Sequence, residues 1–204
     1  MMTKRPPDLE RFVECLKAAF IAASDHAAIS GVVEKVFWAL KTVGGAGSER
    51  PSRRDVCRYL PSALDSSASA SEILMRLGRS FSAIDAQLRW LPRPASGPNA
   101  SANWAEGHAN TMIIGPGGLE QRKDVAIGAS LLAPHVRYPD HDHEPEEIYL
   151  VMTPGRFQHG TSTWFTPGAG GTVHNIPGIT HAMESGEMPL LAFWCLLFCD
   201  AEAA

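Results

Sequence analysis

The sequence feature that most constrains the fold is a change of hydrophobic pattern near residue 95. Before it, apolar residues recur at the three- and four-residue spacing of amphipathic helices, in stripes over 12–20, 29–40 and 73–88. After it, short apolar runs alternate with Gly and Pro, which is typical of an antiparallel sandwich or barrel. The segment 91–102 is rich in Pro, Gly, Ser and Asn, so no helix should cross it.

This division predicts the domain organisation. Residues 1–95 are expected to form a helical region, and residues 96–204 a small antiparallel β-barrel that carries the chemistry. Because one-faced helices need a partner surface, we expect the helical half to pack on the barrel. The runs predicted to form strands are TMIIG, VAIGASLLAP, EEIYLVMT, STWFTPG, GTVHNIPG and MPLLAFWCLLF.

Composition excludes several classes of protein. The 204 residues suit one core, or one core with an appendage. A hydrophobic fraction of 45% and a charged fraction of 20% are ordinary for a globular chain. The formal net charge of −4 provides no cationic surface for nucleic acid or anionic lipid. We therefore expect neither nucleic acid nor a membrane as a partner.

The expected location is the cytoplasm of a bacterium. Charges at Asp8, Glu10 and Arg11 stand where a secretory signal would need an apolar run. The longest apolar stretches reach about half of the roughly 20 residues that span a bilayer. The four cysteines have no CxxC spacing and are interpreted as free thiols.

Histidine is the residue type that points to chemistry. Six of the eight histidines fall between residues 135 and 181. His141 and His143 are two positions apart, which in an extended chain places both rings on one face. Pro145 follows and disfavours a helix, so two extended pieces joined by a bend are expected. Glu147 and Tyr149 repeat the two-residue spacing on the second piece.

These side chains predict a metal site. Two neutral imidazoles and a carboxylate suit Fe(II), Mn(II), Co(II), Ni(II) or Zn(II). His181 is the best candidate for a fourth ligand, because the preceding turn in NIPGITH would return a neighbouring strand to the site. The alternative is a solvated acidic and histidine-rich surface, but Glu147 leads into the apolar run IYLVM. The remaining histidines of this region are interpreted as structural or solvent-facing: His135, His159 and His174.

Two segments resemble the motifs of the cupin family. HDHEPEEIYLVMTPG is similar to the first cupin motif and GTVHNIPGITH to the second. The chain departs from the usual pattern in having His135 in place of a Gly and Ser185 in place of an Asn. The spacing from Glu147 to Gly155 is one residue longer than usual, and the second motif is one residue shorter. The resemblance implies a mainly β fold, the cupin jelly roll.

The chain resembles more closely the cupin dimethylsulfoniopropionate (DMSP) lyases of the DddQ type, bacterial enzymes that cleave DMSP to dimethyl sulfide and acrylate. The shared features are the helical N-terminal half, Tyr138 three residues before His141, and Tyr149 two residues after Glu147. The resemblance implies a carbon–sulfur lyase with one divalent transition metal, Tyr149 as the catalytic base or a metal-adjacent ligand, and Tyr138 as an active-site partner. The implied metal ligands are His141, His143, Glu147 and His181.

β-Elimination from a 3-sulfoniopropionate makes recognisable demands. The α-proton is weakly acidic, so the base must be stronger than histidine, and a tyrosinate, with a usual pKa of about 10, qualifies. The leaving sulfonium is a soft cation that suits aromatic faces such as Trp164, Trp194 or Tyr138. Core packing is the alternative role for both tryptophans.

Two other functions stay open. A second metal-dependent cupin enzyme, such as an Fe(II) dioxygenase of a small acid or thiol, would use the same ligands without needing Tyr149. A non-enzymatic cupin that binds a small ligand is the third. The sequence determines neither the native metal nor the oligomeric state, for which a homodimer is one alternative, nor whether DMSP or a related molecule is the physiological substrate.

Overall fold

A computed structural model describes residues 4–23, 27–93 and 97–198. The domain boundary predicted between residues 95 and 96 lies outside these ranges, and so does Cys199. Among the described residues, no helix combines the length and apolar character needed to cross a membrane.

The N-terminal half is helical, as its apolar stripes predict. The helix over 60–70 has no counterpart among those stripes, and the third stripe runs past its helix, which ends at Asp85. Ser71 caps that helix by accepting a hydrogen bond from the Leu74 amide at 3.2 Å. The helices are α1 (Pro7–Ala23), α2 (Ala27–Ala39), α3 (Leu60–Ala70), α4 (Glu72–Asp85) and α5 (Trp104–Gly107), with a 3-10 turn over Asp55–Tyr59 before α3.

The strands form two sheets that face each other. They are β1 (Gly45–Ala46), β2 (Trp90–Leu91), β3 (His108–Ile114), β4 (Glu120–Gln121), β5 (Val125–Leu132), β6 (Arg137–His141), β7 (Glu146–Val151), β8 (Gly155–His159), β9 (Thr172–Asn175), β10 (His181–Ser185) and β11 (Leu190–Leu197). The larger sheet has the order β1-β4-β3-β5-β11-β7-β9, with β2 beside β3. The smaller sheet has the order β6-β10-β8.

One predicted strand is wrong. The run STWFTPG contributes only a single bridge, between Phe165 and Phe157. Pro167 has no amide hydrogen for a ladder, and Gly168 adopts a φ of 79°, so the chain turns away at this point. Strands β8 and β10, which the short apolar runs did not predict, form two of the three strands in the smaller sheet.

The larger sheet buries both faces. Ile148, Leu150 and Phe193 belong to a core shared with the helices, and the Phe193 ring lies 5.3 Å from Phe12 and 4.9 Å from Phe81. Burying each of these side chains contributes about 1.5–3 kcal/mol. The packing of the helical half on the barrel is therefore confirmed.

A buried ion pair also ties the N-terminal segment to the sheet. Arg5 Nε lies 2.6 Å from Glu120 Oε2, and Arg5 donates a second hydrogen bond to the Leu40 carbonyl at 2.8 Å. The Gly44 amide donates to Glu120 Oε1 at 2.9 Å. A charged pair is tolerated in a core when its hydrogen bonds are satisfied in this way.

Alternate residues of the larger sheet face the barrel interior. Tyr149 and Val151 belong to a second core together with Tyr138, Phe157 and Met183 of the smaller sheet. Because side chains alternate along a strand, Glu147 shares the inner face of β7 with Tyr149. Glu147 and Tyr149 are two residues apart on β7, as the sequence analysis noted, and both side chains therefore point into the barrel.

Candidate metal and active site

Three predicted ligands converge inside the barrel. The ligand atoms of His143, Glu147 and His181 all lie within 4.8 Å of one another. His143 Nε2 is 3.2 Å from Glu147 Oε2, and His181 Nε2 is 3.3 Å from the same oxygen. Two ligand atoms that each lie about 2.1 Å from one ion are separated by roughly 3.0–3.4 Å. The three side chains therefore fit a shared metal ion.

The hydrogen bonds of the imidazoles point to the same conclusion. Nδ1 of each ring lies 2.9 Å from a backbone carbonyl: Pro139 for His141, Pro145 for His143 and Ile179 for His181. A carbonyl only accepts, so each Nδ1 carries a proton and each neutral ring presents a lone pair on Nε2. Such a lone pair repels a carboxylate oxygen unless a proton or a metal ion lies between them. Among the described residues, His181 Nε2 is buried without a hydrogen-bond partner.

The charges of His143, Glu147 and His181, here called the trio, depend on one another. Burial by itself raises the pKa of Glu147, but its interactions with His143 and His181 lower that pKa to about 2. Burial lowers the pKa of His143, and the hydrogen bond to Glu147 more than offsets it, so this pKa is raised. The carboxylate is thus ionised at neutral pH and attracts a cation into the site.

His141 lies beside the trio. It pairs in register with His181 across β6 and β10, and the two ring centroids are 4.1 Å apart. Burial and the neighbouring His181 lower the pKa of His141 to about 3, which keeps its ring neutral. The group of mutually close ligand atoms comprises His143, Glu147 and His181 without His141.

The structure brings both predicted tyrosines to the barrel interior. Tyr149 is buried, and burial together with the negative charge of Glu147 raises its pKa well above the usual value. Tyr138 lies on the smaller sheet with its ring centroid 5.1 Å from that of His141. Burial raises the pKa of Tyr138, while a hydrogen bond from Asn110 and the positive charge of Arg93 oppose that rise. The two phenols thus flank the predicted ligands.

Four residues around Tyr138 were missed by the sequence analysis: Arg93, Trp104, His108 and Asn110. Asn110 Nδ2 donates to the Tyr138 hydroxyl at 2.8 Å. His108 stacks on Trp104 at 4.2 Å and meets the Tyr138 ring edge-on at 5.5 Å. Its Nε2 accepts a 2.9 Å hydrogen bond from the Arg93 amide. The two-residue spacing of His108 and Asn110 on β3 could have indicated that their side chains point to the same face of the strand. Only the folded barrel shows that this face lies against Tyr138.

The two predicted tryptophans have different surroundings. Trp194 pairs in register with Tyr149 across β11 and β7 and packs against the barrel core. Trp164 lies over two arginines, with the guanidinium carbons of Arg137 and Arg156 at 5.3 and 5.4 Å from its ring. Arg137 precedes Tyr138 on β6 and Arg156 precedes Phe157 on β8, and both aromatic side chains face the barrel interior. Because successive side chains of a strand point to opposite faces, the two arginines and the Trp164 ring beside them lie on the outer face of the smaller sheet. Trp164 therefore lies apart from Tyr138 and Trp194, and its expected contact with a substrate stays a prediction.

The remaining three histidines each have an individual partner. Exposed His135 adopts a φ of 59° and pairs with Glu187 at 3.3 Å. His174 Nε2 lies 2.8 Å from Glu146 Oε1. His159 Nε2 lies 2.8 Å from Asn175 Oδ1, and Asn175 contacts Glu147 in turn.

Two facing sheets, antiparallel except where β3 pairs with β4, with a candidate metal site between them define this protein as a cupin. The chain superposes on the crystal structure of the DMSP lyase DddQ from Ruegeria pomeroyi DSS-3 with a TM-score of 0.73 and 22% identity, over 98% of this chain and 95% of the other. A chain from the crystal structures of the DMSP lyases RdDddP and RnDddQII matches with a TM-score of 0.69 and 16% identity, over 97% and 95%. Both likenesses include the helical half as well as the barrel.

The sequence comparisons identify the family. The family model of the dimethylsulfoniopropionate lyases matches residues 28–192, and the chain belongs to this family. A Cereibacter sphaeroides protein named as a candidate DMSP lyase, DddL, is 26% identical over 145 residues, which cover 70% of this chain. The match spans 60% of the length of that relative.

Proposed function

We propose that this protein is a metal-dependent DMSP lyase that releases dimethyl sulfide and acrylate by β-elimination. The observation that carries the proposal is that Tyr138 and Tyr149 flank a convergent His143, Glu147 and His181 inside the barrel. Membership of the DMSP lyase family supports the same reaction. The proposal assigns a role to each of these side chains.

His143, Glu147 and His181 would hold one divalent transition metal ion, with His141 as the fourth predicted ligand. Fe(II), Zn(II), Mn(II), Co(II) and Ni(II) all suit this set of donors. When bound, the ion supplies positive charge that stabilises a substrate carboxylate, the charge developing at the α-carbon and a nearby tyrosinate.

Tyr149 is the proposed base. As a tyrosinate, Tyr149 accepts the α-proton on its oxygen, the electron pair of that C–H bond forms the new carbon–carbon double bond, and the C–S bond breaks with its electrons going to sulfur. Dimethyl sulfide leaves as a neutral molecule, acrylate keeps the carboxylate, and Tyr149 ends as a phenol. Burial and Glu147 otherwise hold the proton on Tyr149, so the base needs a cation beside Glu147.

Tyr138 orients the substrate in this proposal. Asn110 donates to the Tyr138 oxygen at 2.8 Å, which leaves the phenol proton free to point towards a substrate oxygen. The stacked Trp104 and His108 rings support Tyr138 from one side. Such support limits the motion of a group that must keep its geometry during the reaction.

Trp194 is the proposed aromatic contact for the sulfonium. It stands opposite Tyr149 on the inner face of the sheet, and a cation without hydrogen-bond donors is best stabilised by an aromatic face. This placement brings the leaving group close to the base, as elimination requires.

We also propose that the protein resides in a reducing compartment such as the bacterial cytoplasm, and three free thiols support this location. Within the described ranges, Cys15, Cys57 and Cys195 form no disulfide. Burial raises the pKa of both Cys57 and Cys195, which makes these thiols poorly reactive.

A headspace assay on purified protein of known metal content tests the function. We expect equal amounts of dimethyl sulfide and acrylate from DMSP, at the same rate in air and under nitrogen. Turnover that requires oxygen would favour the dioxygenase alternative. Binding of DMSP without any product would favour a ligand-binding cupin, and neither result is compatible with the lyase.

A further inference from the structure

We propose that His159 and Asn175 are positioning residues that hold the Glu147 carboxylate in place for metal binding. Together the three side chains form a hydrogen-bonded chain from the end of β8, through β9, to the inner face of β7. The inference rests on the metal site of the proposed function and extends it to residues that do not themselves contact the ion.

Asn175 is the residue that touches Glu147. The two pair in register across β7 and β9, and Asn175 Nδ2 donates to Glu147 Oε2 at 2.7 Å. Asn175 is 1% exposed and Glu147 3%, so water does not compete for this bond. The oxygen that Asn175 holds is the one that lies closest to His143 and His181.

The direction of the chain follows from the chemistry of its members. An ionised carboxylate only accepts hydrogen bonds, so the amide NH₂ of Asn175 faces Glu147 and the amide oxygen faces His159. That oxygen also only accepts, so His159 Nε2 carries the proton across the 2.8 Å contact. His159 is therefore a donor at Nε2, whereas His141, His143 and His181 present lone pairs there when their rings are neutral, because each Nδ1 faces a backbone carbonyl.

A neutral donor suits a carboxylate that must bind a metal. It restricts the rotation of Glu147 through a charge-assisted hydrogen bond without adding a positive charge that would compete with the ion. Hydrogen-bond partners behind metal ligands usually contribute about 10- to 100-fold to metal affinity. The polarisation of Asn175 by His159 strengthens its bond to Glu147.

His174 provides a matched control. It lies on β9 one residue before Asn175, and its Nε2 contacts a glutamate, Glu146, at the same 2.8 Å. Successive residues on a strand face opposite sides, so His174 points away from Glu147. Removing the His174 side chain deletes a histidine hydrogen bond of the same length as that of His159. It leaves intact the hydrogen bonds that run from His159 through Asn175 to Glu147.

The experiment measures Co(II) affinity and the visible absorption of the Co(II) complex in the whole protein. His159→Phe keeps a ring against Phe165, 5.3 Å away, but removes the donor, and His159→Gln restores a donor at the Nε2 position. We expect His159→Phe to weaken Co(II) binding by about 10-fold and to alter the spectrum. His159→Gln should recover most of the affinity, and His174→Phe should match the parent protein. Asn175→Leu should lower the Co(II) affinity by about 100-fold.

The Phe and Gln variants decide the outcome even if Asn175→Leu does not fold. Equal Co(II) affinity in His159→Phe and the parent protein would overturn the inference. So would equal losses in His159→Phe and His174→Phe, a Gln variant as weak as the Phe variant, or a parent protein that binds no Co(II). If the affinities follow expectation but DMSP yields no dimethyl sulfide, the proposed function fails and the positioning role stands.

Discussion

His181 Nε2 lies 3.3 Å from Glu147 Oε2, although the two residues belong to different sheets. Glu147 is on β7 of the larger sheet, and His181 begins β10 of the smaller one. The candidate metal site thus forms only when the two sheets face each other. The candidate ligands therefore come together only in the folded barrel.

Loss of one converging ligand should release the metal. We expect His143→Ala or His181→Ala to lower metal affinity by more than about 100-fold, because a lost ligand costs more than a lost outer partner. His141→Ala should cost less, since His141 lies outside the group of close ligand atoms. Metal content after dialysis and chelator competition measure both effects. Full occupancy in His143→Ala would refute this ligand assignment.

Tyr149→Phe tests the base. The substitution keeps the ring in the core and deletes the oxygen that is proposed to accept the proton. We expect kcat per metal-loaded molecule to fall by at least about 10²- to 10⁴-fold, the usual contribution of general base catalysis, with metal content largely retained. If kcat is unchanged after correction for metal, Tyr149 is a core residue and the base lies elsewhere.

Tyr138→Phe should have a smaller effect on kcat than Tyr149→Phe. Its hydroxyl is proposed to orient the substrate, so a rise in KM should accompany a modest loss of turnover. Asn110→Ala, which removes the 2.8 Å hydrogen bond to that hydroxyl, should change KM in the same direction. Steady-state kinetics with DMSP distinguish these effects. A larger kcat loss in Tyr138→Phe than in Tyr149→Phe would reverse the two roles.

Gly128 determines where the Trp194 indole lies. A Cβ at residue 128 would collide with the indole ring and the Thr111 carbonyl oxygen. Gly128→Ala should therefore destabilise the protein by about 1–3 kcal/mol, the usual cost of overpacking, and raise KM by displacing Trp194. Urea unfolding and kinetics measure the two effects. Gly186→Ala is the control, because a Cβ there meets nothing within 4 Å, and similar losses in both variants would contradict this explanation.

The helical region should not fold by itself. Its core residues Phe12 and Phe81 pack against Phe193 of the sheet, and Arg5 relies on Glu120 for its buried charge. A fragment of residues 1–94 exposes these groups to water, so we expect aggregation or a non-cooperative thermal transition. Circular dichroism and sedimentation measure this. A monomeric fragment that melts cooperatively would show that residues 1–95 are an independent domain.

Local periodicity was enough to predict the main division of the chain. Apolar stripes such as that of α1 bury one helical face, and the two-residue spacing of Glu147 and Tyr149 directs both side chains inwards on β7. These patterns are readable because side-chain direction repeats every 3.6 residues in a helix and every two in a strand. His141, His143, Glu147 and Tyr149 were predicted from this two-residue spacing, whereas His181 was predicted from the turn before it and Tyr138 from the resemblance to the DddQ-type lyases.

Tertiary structure decided which side chains meet. Trp164 and Trp194 are both aromatic residues in short runs, yet one covers the outer face of the smaller sheet and the other faces Tyr149. The contacts of Asn175 with His159 and Glu147 join three strands. Periodicity reports the direction of a side chain relative to its own strand, whereas strand order and register determine its neighbours. The sequence therefore predicts a set of candidate residues, and the strand order and register of the barrel determine which of them lie together.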